Sequence, residues 1–199
     1  MNNDSEKQLK KGNTAVFADV FSVHRARLWQ IVNFRINSQI RARIDPDDVV
    51  QEIYLAAEKR LSHFIDGDFA SCFLWLRLVA SQTLSKIHRT HLGTESRSAL
   101  REANFPMLNQ WGNTSVCLSQ RFVAHLTSPS QLAVRDELIS QVHDAIESMN
   151  DTDREILALR HFEELTNGEI AIELGIKPKA ASIRYMRALE RLRGVLERI

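Results

Sequence analysis

The chain lacks most of the features that would place it in a common functional class. It holds only two cysteines, Cys72 and Cys117, in 199 residues, far apart and matching neither a metal-binding nor a redox spacing. They are expected as reduced thiols of an intracellular protein. No stretch approaches the roughly 20 apolar residues of a membrane span. The polar, lysine-bearing residues 1–13 lack the apolar core of a signal peptide. The expectation is a soluble, cytoplasmic protein without membrane contact. A glycine-rich phosphate loop, a nucleophile elbow and an inward carboxylate pair are missing too, so an enzyme is not expected, nor any cofactor or metal. Sustained period-two alternation is absent, which leaves no material for a sheet. The net charge of +1 is too small to argue for a polyanionic partner.

What is present is helical periodicity and an uneven spread of charge. Residues 176–199 carry seven Lys/Arg (Lys177, Lys179, Arg184, Arg187, Arg191, Arg193, Arg198) against Glu190 and Glu197, about +5, leaving the rest near −4. Val16, Phe17, Val20, Phe21, Leu28, Ile31, Val32 and Ile36 form a first helical face. At Asp45-Pro46-Asp47-Asp48 a second helix starts sharply: Asp45 can cap, Pro46 fits the first helical position, and the acids sit at the positive end. A turn at 65–68 leads to a third helix with Phe69, Phe73, Leu76, Val79, Ala80, Thr83 and Ile87 on its apolar side. From 101 to 131 the pattern dissolves into Asn, Gln, Ser, Gly112, Pro106 and Pro129, which reads as a linker with room for a short helix. Some 30 residues can span about 100 Å when extended. Periodicity resumes with Leu138, Val142, Ala145, Ile146 and Met149.

The last domain carries the sharpest motif. Two capping boxes are expected, Thr152 with Glu155 and Thr166 with Glu169. After the second, Ala171 is small where two helices would cross, and Gly175 supplies a left-handed corner. Pro178 then opens a new helix. Along it Ala181, Ile183 or Tyr185, Ala188, Leu192 and Val195 can pack, while Lys179, Ser182, Arg184, Arg187 and Arg191 can face outward. A basic face on the second helix of such a pair suits docking in the major groove of duplex DNA. Each component alone fits an ordinary solvated hairpin; together, in register, they point to DNA binding.

Two other clusters stay open on the residues alone. Asp45, Asp47, Asp48, Glu52 and Glu58 precede the next lysine, Lys59, giving about −5 over fourteen residues. They are either a solvated helix start or a docking face for a basic partner. The next helix sets Arg77, Lys86, Arg89, Arg97 and Arg101, plus His88 and His91, around Phe69, Phe73 and Trp75. Aromatics beside positive charge can stack on unpaired bases, although Phe73 and Trp75 at helical spacing also fit a core. His88, His91 and Glu95 could share a face and hold a metal, but no second cluster completes a site.

From about Ala15 onward the chain resembles bacterial RNA polymerase sigma factors of the sigma-70 family, in the compact extracytoplasmic-function (ECF) class. The resemblance rests on DPDDVVQEIYLAA from Asp45, FLWLRLVA from Phe73, DREILALRHFEELTNGEIA from Asp153 and RYMRALERLR from Arg184. It implies an all-α fold of two small helical domains, region 2-like and region 4-like, joined by a flexible linker. The expected division is a disordered 1–14, a region 2-like domain at 15–100, a linker at 101–131 and a region 4-like helix-turn-helix domain at 132–199. It implies a non-enzymatic subunit that binds core RNA polymerase, through the clamp helices of the largest subunit and through the flap, and directs initiation at two-part promoter DNA. In that scheme Asp48, Gln51 and Glu52 hold the clamp helices. Phe69, Phe73, Trp75, Gln82, Lys86 and Arg89, with the loop before them, melt and read the downstream (−10) element. Lys177, Lys179, Ser182, Arg184 and Arg187 read the upstream (−35) element as duplex. An anti-sigma protein is a further partner the resemblance implies. The chain departs from the family where Gln82 and Lys86 replace a frequent Asn and Asp, where Lys177 replaces a capping Ser, and where Ala181 is smaller than the usual Val. The alternative reading is a stand-alone helix-turn-helix regulator with an N-terminal helical interaction domain.

Overall fold

The computed structural model describes residues 2–36, 38–41, 43–91, 114–126 and 132–197. Every regular element among them is helical. The chain divides into two compact units, Met1–Gln110 and Trp111–Ile199.

In the first unit the elements are α1 (Asn2–Lys10), a 3-10 turn (Thr14–Val16), α2 (Phe17–Arg35), α3 (Ser38–Arg41), α4 (Pro46–Glu58), α5 (Leu61–Asp66) and α6 (Cys72–His91). Helix α4 starts as its sequence dictates: the Asp45 carboxylate accepts from Asp47 N at 2.9 Å, and Pro46 occupies the first turn. Val49, Val50, Ile53 and Ala57 are its buried stripe, and α4 packs on α2 and α6. The first turns of α6 are buried almost all round, from Cys72 to Arg77, as a helix through the middle of a bundle must be. Trp75 meets Phe17 (ring centroids 6.4 Å) and Phe64 (5.2 Å), and Tyr54 stacks on Phe17 at 5.2 Å. Truncating an aromatic in such a cluster typically costs about 3–5 kcal/mol.

Two expectations for this unit need correction. Residues 2–10 are not disordered: they form α1, whose Leu9 is fully buried. Phe69 does not belong to the third helix. Helix α5 runs through Asp66, α6 starts only at Cys72, and Phe69 lies in the loop between them. Gly67 explains the loop's shape, because a Cβ there would meet His63 O at 2.4 Å and the Phe69 ring at 2.6 Å.

The second unit comprises α7 (Thr114–Leu126), α8 (Leu132–Glu147), α9 (Asp151–His161), α10 (Asn167–Glu173) and α11 (Pro178–Leu196). The segment expected as linker therefore contains a thirteen-residue helix, α7, that packs on α8 and α9 as part of this unit; 101–113 and 127–131 lie outside the described residues. The start of α9 also differs from expectation. Its cap is Asn150, not Thr152: Asn150 Oδ1 accepts from Asp153 N, and Asn150 Nδ2 donates to Asp153 Oδ2, both at 2.9 Å. Glu155 is instead buried in the helix body. Thr166 and Glu169 do close the expected capping box on α10.

Candidate nucleic-acid interface

The corner between α10 and α11 is built from backbone hydrogen bonds. Gly175 takes φ +62, Ile176 N donates to Ala171 O at 2.9 Å, and Gly175 N donates to Ile172 O at 3.3 Å. This is the full Schellman pattern, in which a glycine adopts the left-handed conformation without Cβ strain. Three residues later Pro178 opens α11. Ala171, Ala181 and Ala188 are buried where α11 meets its neighbours, so the small side chains permit close helix crossing. The result is a helix-turn-helix with α11 as its second, longer helix.

The structure sorts the five residues expected on DNA, Lys177 just before α11 and four within it, into two groups. Lys177, Lys179 and Arg187 are exposed. Lys177 occupies the cap position, and its side chain, a donor only, cannot close the first amides of α11. Ser182 and Arg184 are engaged within the unit. Ser182 Oγ accepts from Asn167 Nδ2 at 2.9 Å and donates to Pro178 O at 3.2 Å, tying α11 to the start of α10. Arg184 Nη1 donates to Asp153 Oδ1 at 3.1 Å, and that carboxylate is buried. Both side chains stay partly exposed while they tie the motif together. The outward face also carries two apolar side chains that the sequence pattern did not single out for contact, Ile183 (42% exposed) and Met186 (54%). Tyr185 takes the inner place, its hydroxyl 3.2 Å from His161 Nε2.

In the first unit Asp48, Gln51 and Glu52 are exposed on α4, and Leu55, at 51% exposure, continues the same stripe. At spacings of three, four and seven these four side chains share one helix face. Leu55 thus sets exposed apolar area beside the carboxylates of Asp48 and Glu52. The sequence reading overlooked Leu55; its exposure could not be known before its neighbours were placed.

Helix α6 separates its expected residues as sharply. Gln82, Lys86 and Arg89 are exposed along one line of the helix. Phe73 and Trp75 are each only 2% exposed and cannot meet a base in this conformation. The Arg27 guanidinium covers the Phe73 ring at 3.5 Å. Their place on a melting surface is corrected to that of core supports beneath it, and Arg77 is buried with them. Phe69 is half-buried, with its ring stacked 6.3 Å from Phe64. Gln82 accepts from Arg60 Nη1 at 2.6 Å. A groove of about 440 Å³ runs between α4 and α6, lined by Glu52, Leu55, Lys59, Arg60, Gln82 and Lys86 among others. The acidic stripe and a row of cations therefore border one depression. Burial lowers the pKa of His88, which favours a neutral ring at neutral pH. Glu95 lies outside the described residues, and among the described residues no three potential metal ligands come together. No helix there is long and apolar enough to cross a membrane.

Comparisons with known proteins bear on both units. The family described as "Sigma-70, region 4" matches residues 139–192, covering α9, α10, most of α11 and part of α8. ECF RNA polymerase sigma factor SigW of Bacillus subtilis is 24% identical over 192 residues, which is 96% of this chain and 94% of the relative. ECF RNA polymerase sigma factor SigD of Mycobacterium tuberculosis is 25% identical over 183 residues, 92% of this chain and 77% of the relative. In fold the chain is similar to CnrH, solved in complex with the cytosolic domain of CnrY. That match has a TM-score of 0.50 and 22% identity, and covers 98% of this chain and 97% of CnrH.

Proposed function

We propose that this chain is a sigma factor of the ECF class of the sigma-70 family, an initiation subunit that binds core RNA polymerase and reads a promoter in two places. The reading is supported by its similarity to region 4 of that family and to ECF sigma factors along nearly its whole length. The observation that supports the reading is the presence of an exposed basic face on α11 in one unit and of an exposed acid-and-leucine stripe on α4 in the other.

In this reading Asp48, Gln51, Glu52 and Leu55 dock on the clamp helices of the polymerase's largest subunit, and the second unit engages the flap. The acids steer the encounter with a basic surface, and Leu55 supplies apolar area at its centre. Helix α11 enters the major groove of the −35 element. Lys177, Lys179 and Arg187 contact phosphates and base edges there, while Ile183 and Met186 present apolar contact of the kind a thymine methyl accepts. Ser182 and Arg184 act at one remove by fixing the pitch of α11. The loop at 67–71 and the Gln82–Lys86–Arg89 line of α6 handle the −10 element as melted strand. Cations draw its phosphates, and Phe69 offers a ring to an unstacked base. None of this requires bond-making by the protein or a cofactor. Two of the arginines of α11, Arg184 and Arg193, are paired with acids of this chain; isolated DNA binding is weak in this reading, and polymerase supplies the remaining affinity. The site of action is the cytoplasm. A regulatory anti-sigma protein is a further proposed partner, and the complex of the structural neighbour CnrH with the cytosolic domain of CnrY supports a protein of that kind.

Charge reversal tests the docking face. The double variant Asp48→Lys, Glu52→Lys is expected to lose core polymerase in a pull-down while retaining helicity and the weak duplex binding of α11. Capture of polymerase at the wild-type level would overturn the assignment of α4.

A further inference from the structure

The N-terminal helix α1 carries none of the residues used above, yet it makes long-range polar contacts at both ends of the loop between α5 and α6. Lys10 Nζ donates to Phe64 O and Gly67 O, each at 2.5 Å, and to Ile65 O at 3.5 Å, and it lies 4.6 Å from the Phe64 ring centroid. Phe64 and Ile65 belong to the last turn of α5, whose carbonyls have no partner within the helix. Four residues earlier on the same face of α1, the Glu6 carboxylate accepts from Cys72 N, the first amide of α6. One short helix thus closes the positive charge of Lys10 onto the end of α5 and the negative charge of Glu6 onto the start of α6. Both signs suit the helix ends they meet. The five residues between those two ends are the loop 67–71. Leu9, fully buried, anchors the strap between the two ion-bearing side chains.

We propose that α1 is a strap that holds the loop 67–71 in the shape in which it receives the melted strand, with Lys10 and Glu6 as positioning residues. The inference rests on the assignment of that loop to the −10 element. Its physical basis is preorganisation. A loop already fixed at both ends, with Phe69 folded over Gly67, loses little freedom when a base docks on it. Without the strap, the orphan carbonyls of α5 and amide of α6 turn to water. The loop then samples many shapes, and each capture of a base must order it again. Losing a charge-assisted contact of this kind is expected to cost about tenfold in capture.

The test uses the full chain in holoenzyme with core polymerase, on a pre-melted bubble template made from a start site first mapped with the wild-type protein. Lys10→Met should exchange the amides of 67–72 faster in the free protein and form heparin-resistant complexes about tenfold more slowly. Its affinity for core polymerase should match the wild type. Lys10→Arg, which can still donate to the same carbonyls, should restore most of the rate. Glu6→Ala should behave as Lys10→Met does and Glu6→Gln as the wild type, because an amide oxygen still accepts from Cys72 N. These two variants keep the test decisive if Lys10→Met folds poorly. Equal complex formation by wild type, Lys10→Met and Glu6→Ala would overturn the strap while leaving the sigma-factor reading intact. So would a loss of polymerase affinity in parallel with the loss of capture, since that is what general destabilisation does. Failure of the wild-type chain itself to initiate would overturn both.

Discussion

Replacing Arg184 and Arg187 one at a time separates the two jobs that a basic residue can have on α11. Arg184 reaches back to Asp153 at 3.1 Å; the aspartate side chain is 7% exposed and the arginine 39%. Truncating Arg184 leaves a buried carboxylate with one fewer donor, which for charged groups costs roughly 1.5–3 kcal/mol. Two features reduce that figure. Asn150 Nδ2 still donates to Asp153 at 2.9 Å, and the guanidinium is partly screened by water. About 1–2 kcal/mol remains for Arg184→Ala, enough to speed exchange of core amides in α9 and α11 by about 5–30-fold. Arg187 is exposed, so Arg187→Ala should stay within about 0.5 kcal/mol of the wild type. It should weaken holoenzyme binding to an upstream-element duplex and lower the salt slope by about one. The assays are native-state hydrogen exchange on the full chain and duplex affinity across a salt series. Exchange unchanged in Arg184→Ala, with a drop in salt slope equal to that of Arg187→Ala, would refute the division of roles.

Three further outcomes follow from local chemistry. Thr166→Ala removes the cap that accepts from Glu169 N and should cost about 1 kcal/mol, concentrated in α10 and read by amide exchange there. Cys72 has its thiol pKa pushed up to about 12, first by burial and then by the Glu6 carboxylate. It should resist iodoacetamide at pH 8 in the folded chain and react in urea. Because the unfolded thiol ionises first, folding stability should fall as pH rises from about 9 towards 12, by up to about 1.4 kcal/mol per unit from this group; Cys72→Ala should flatten that part of the profile. Ile183→Ala should leave the unfolding midpoint in place and relax base preference at one upstream position. A large loss of stability would show that Ile183 packs instead.

The parts of this fold that were legible in the sequence are those fixed by neighbours a few residues away. Asp45 with Pro46, Thr166 with Glu169, and Gly175 ahead of Pro178 each satisfy backbone groups within one turn, so spacing alone reveals them. Helix α1 was not legible because its anchors are distant: Glu6 and Lys10 find their partners 66 and 54 or more residues away, while its own apolar content is little more than Leu9. The expected cap of α9 is Thr152 with Glu155; the structure caps the helix two residues earlier, at Asn150, and buries Glu155 in the helix body. On α11, periodicity placed Ala181, Ala188 and Leu192 inward correctly. It could not decide the flanking positions, where Arg184 found a buried acid and Ile183 did not find a core. Phe73 and Trp75 pose the same problem on α6, since an aromatic beside charge reads alike as platform or pillar until the helices around it are placed.

The central claim is that this chain confers promoter choice on core RNA polymerase. The most direct measurement is in vitro transcription from a genomic fragment library with purified core polymerase, with and without the protein, mapping every transcript's 5′ end. The account predicts start sites that appear only when the protein is added and that share two upstream elements more than one duplex turn apart. Those starts should vanish with Asp48→Lys, Glu52→Lys. An unchanged set of transcripts, or tight binding of the chain alone to a palindromic duplex, would contradict it.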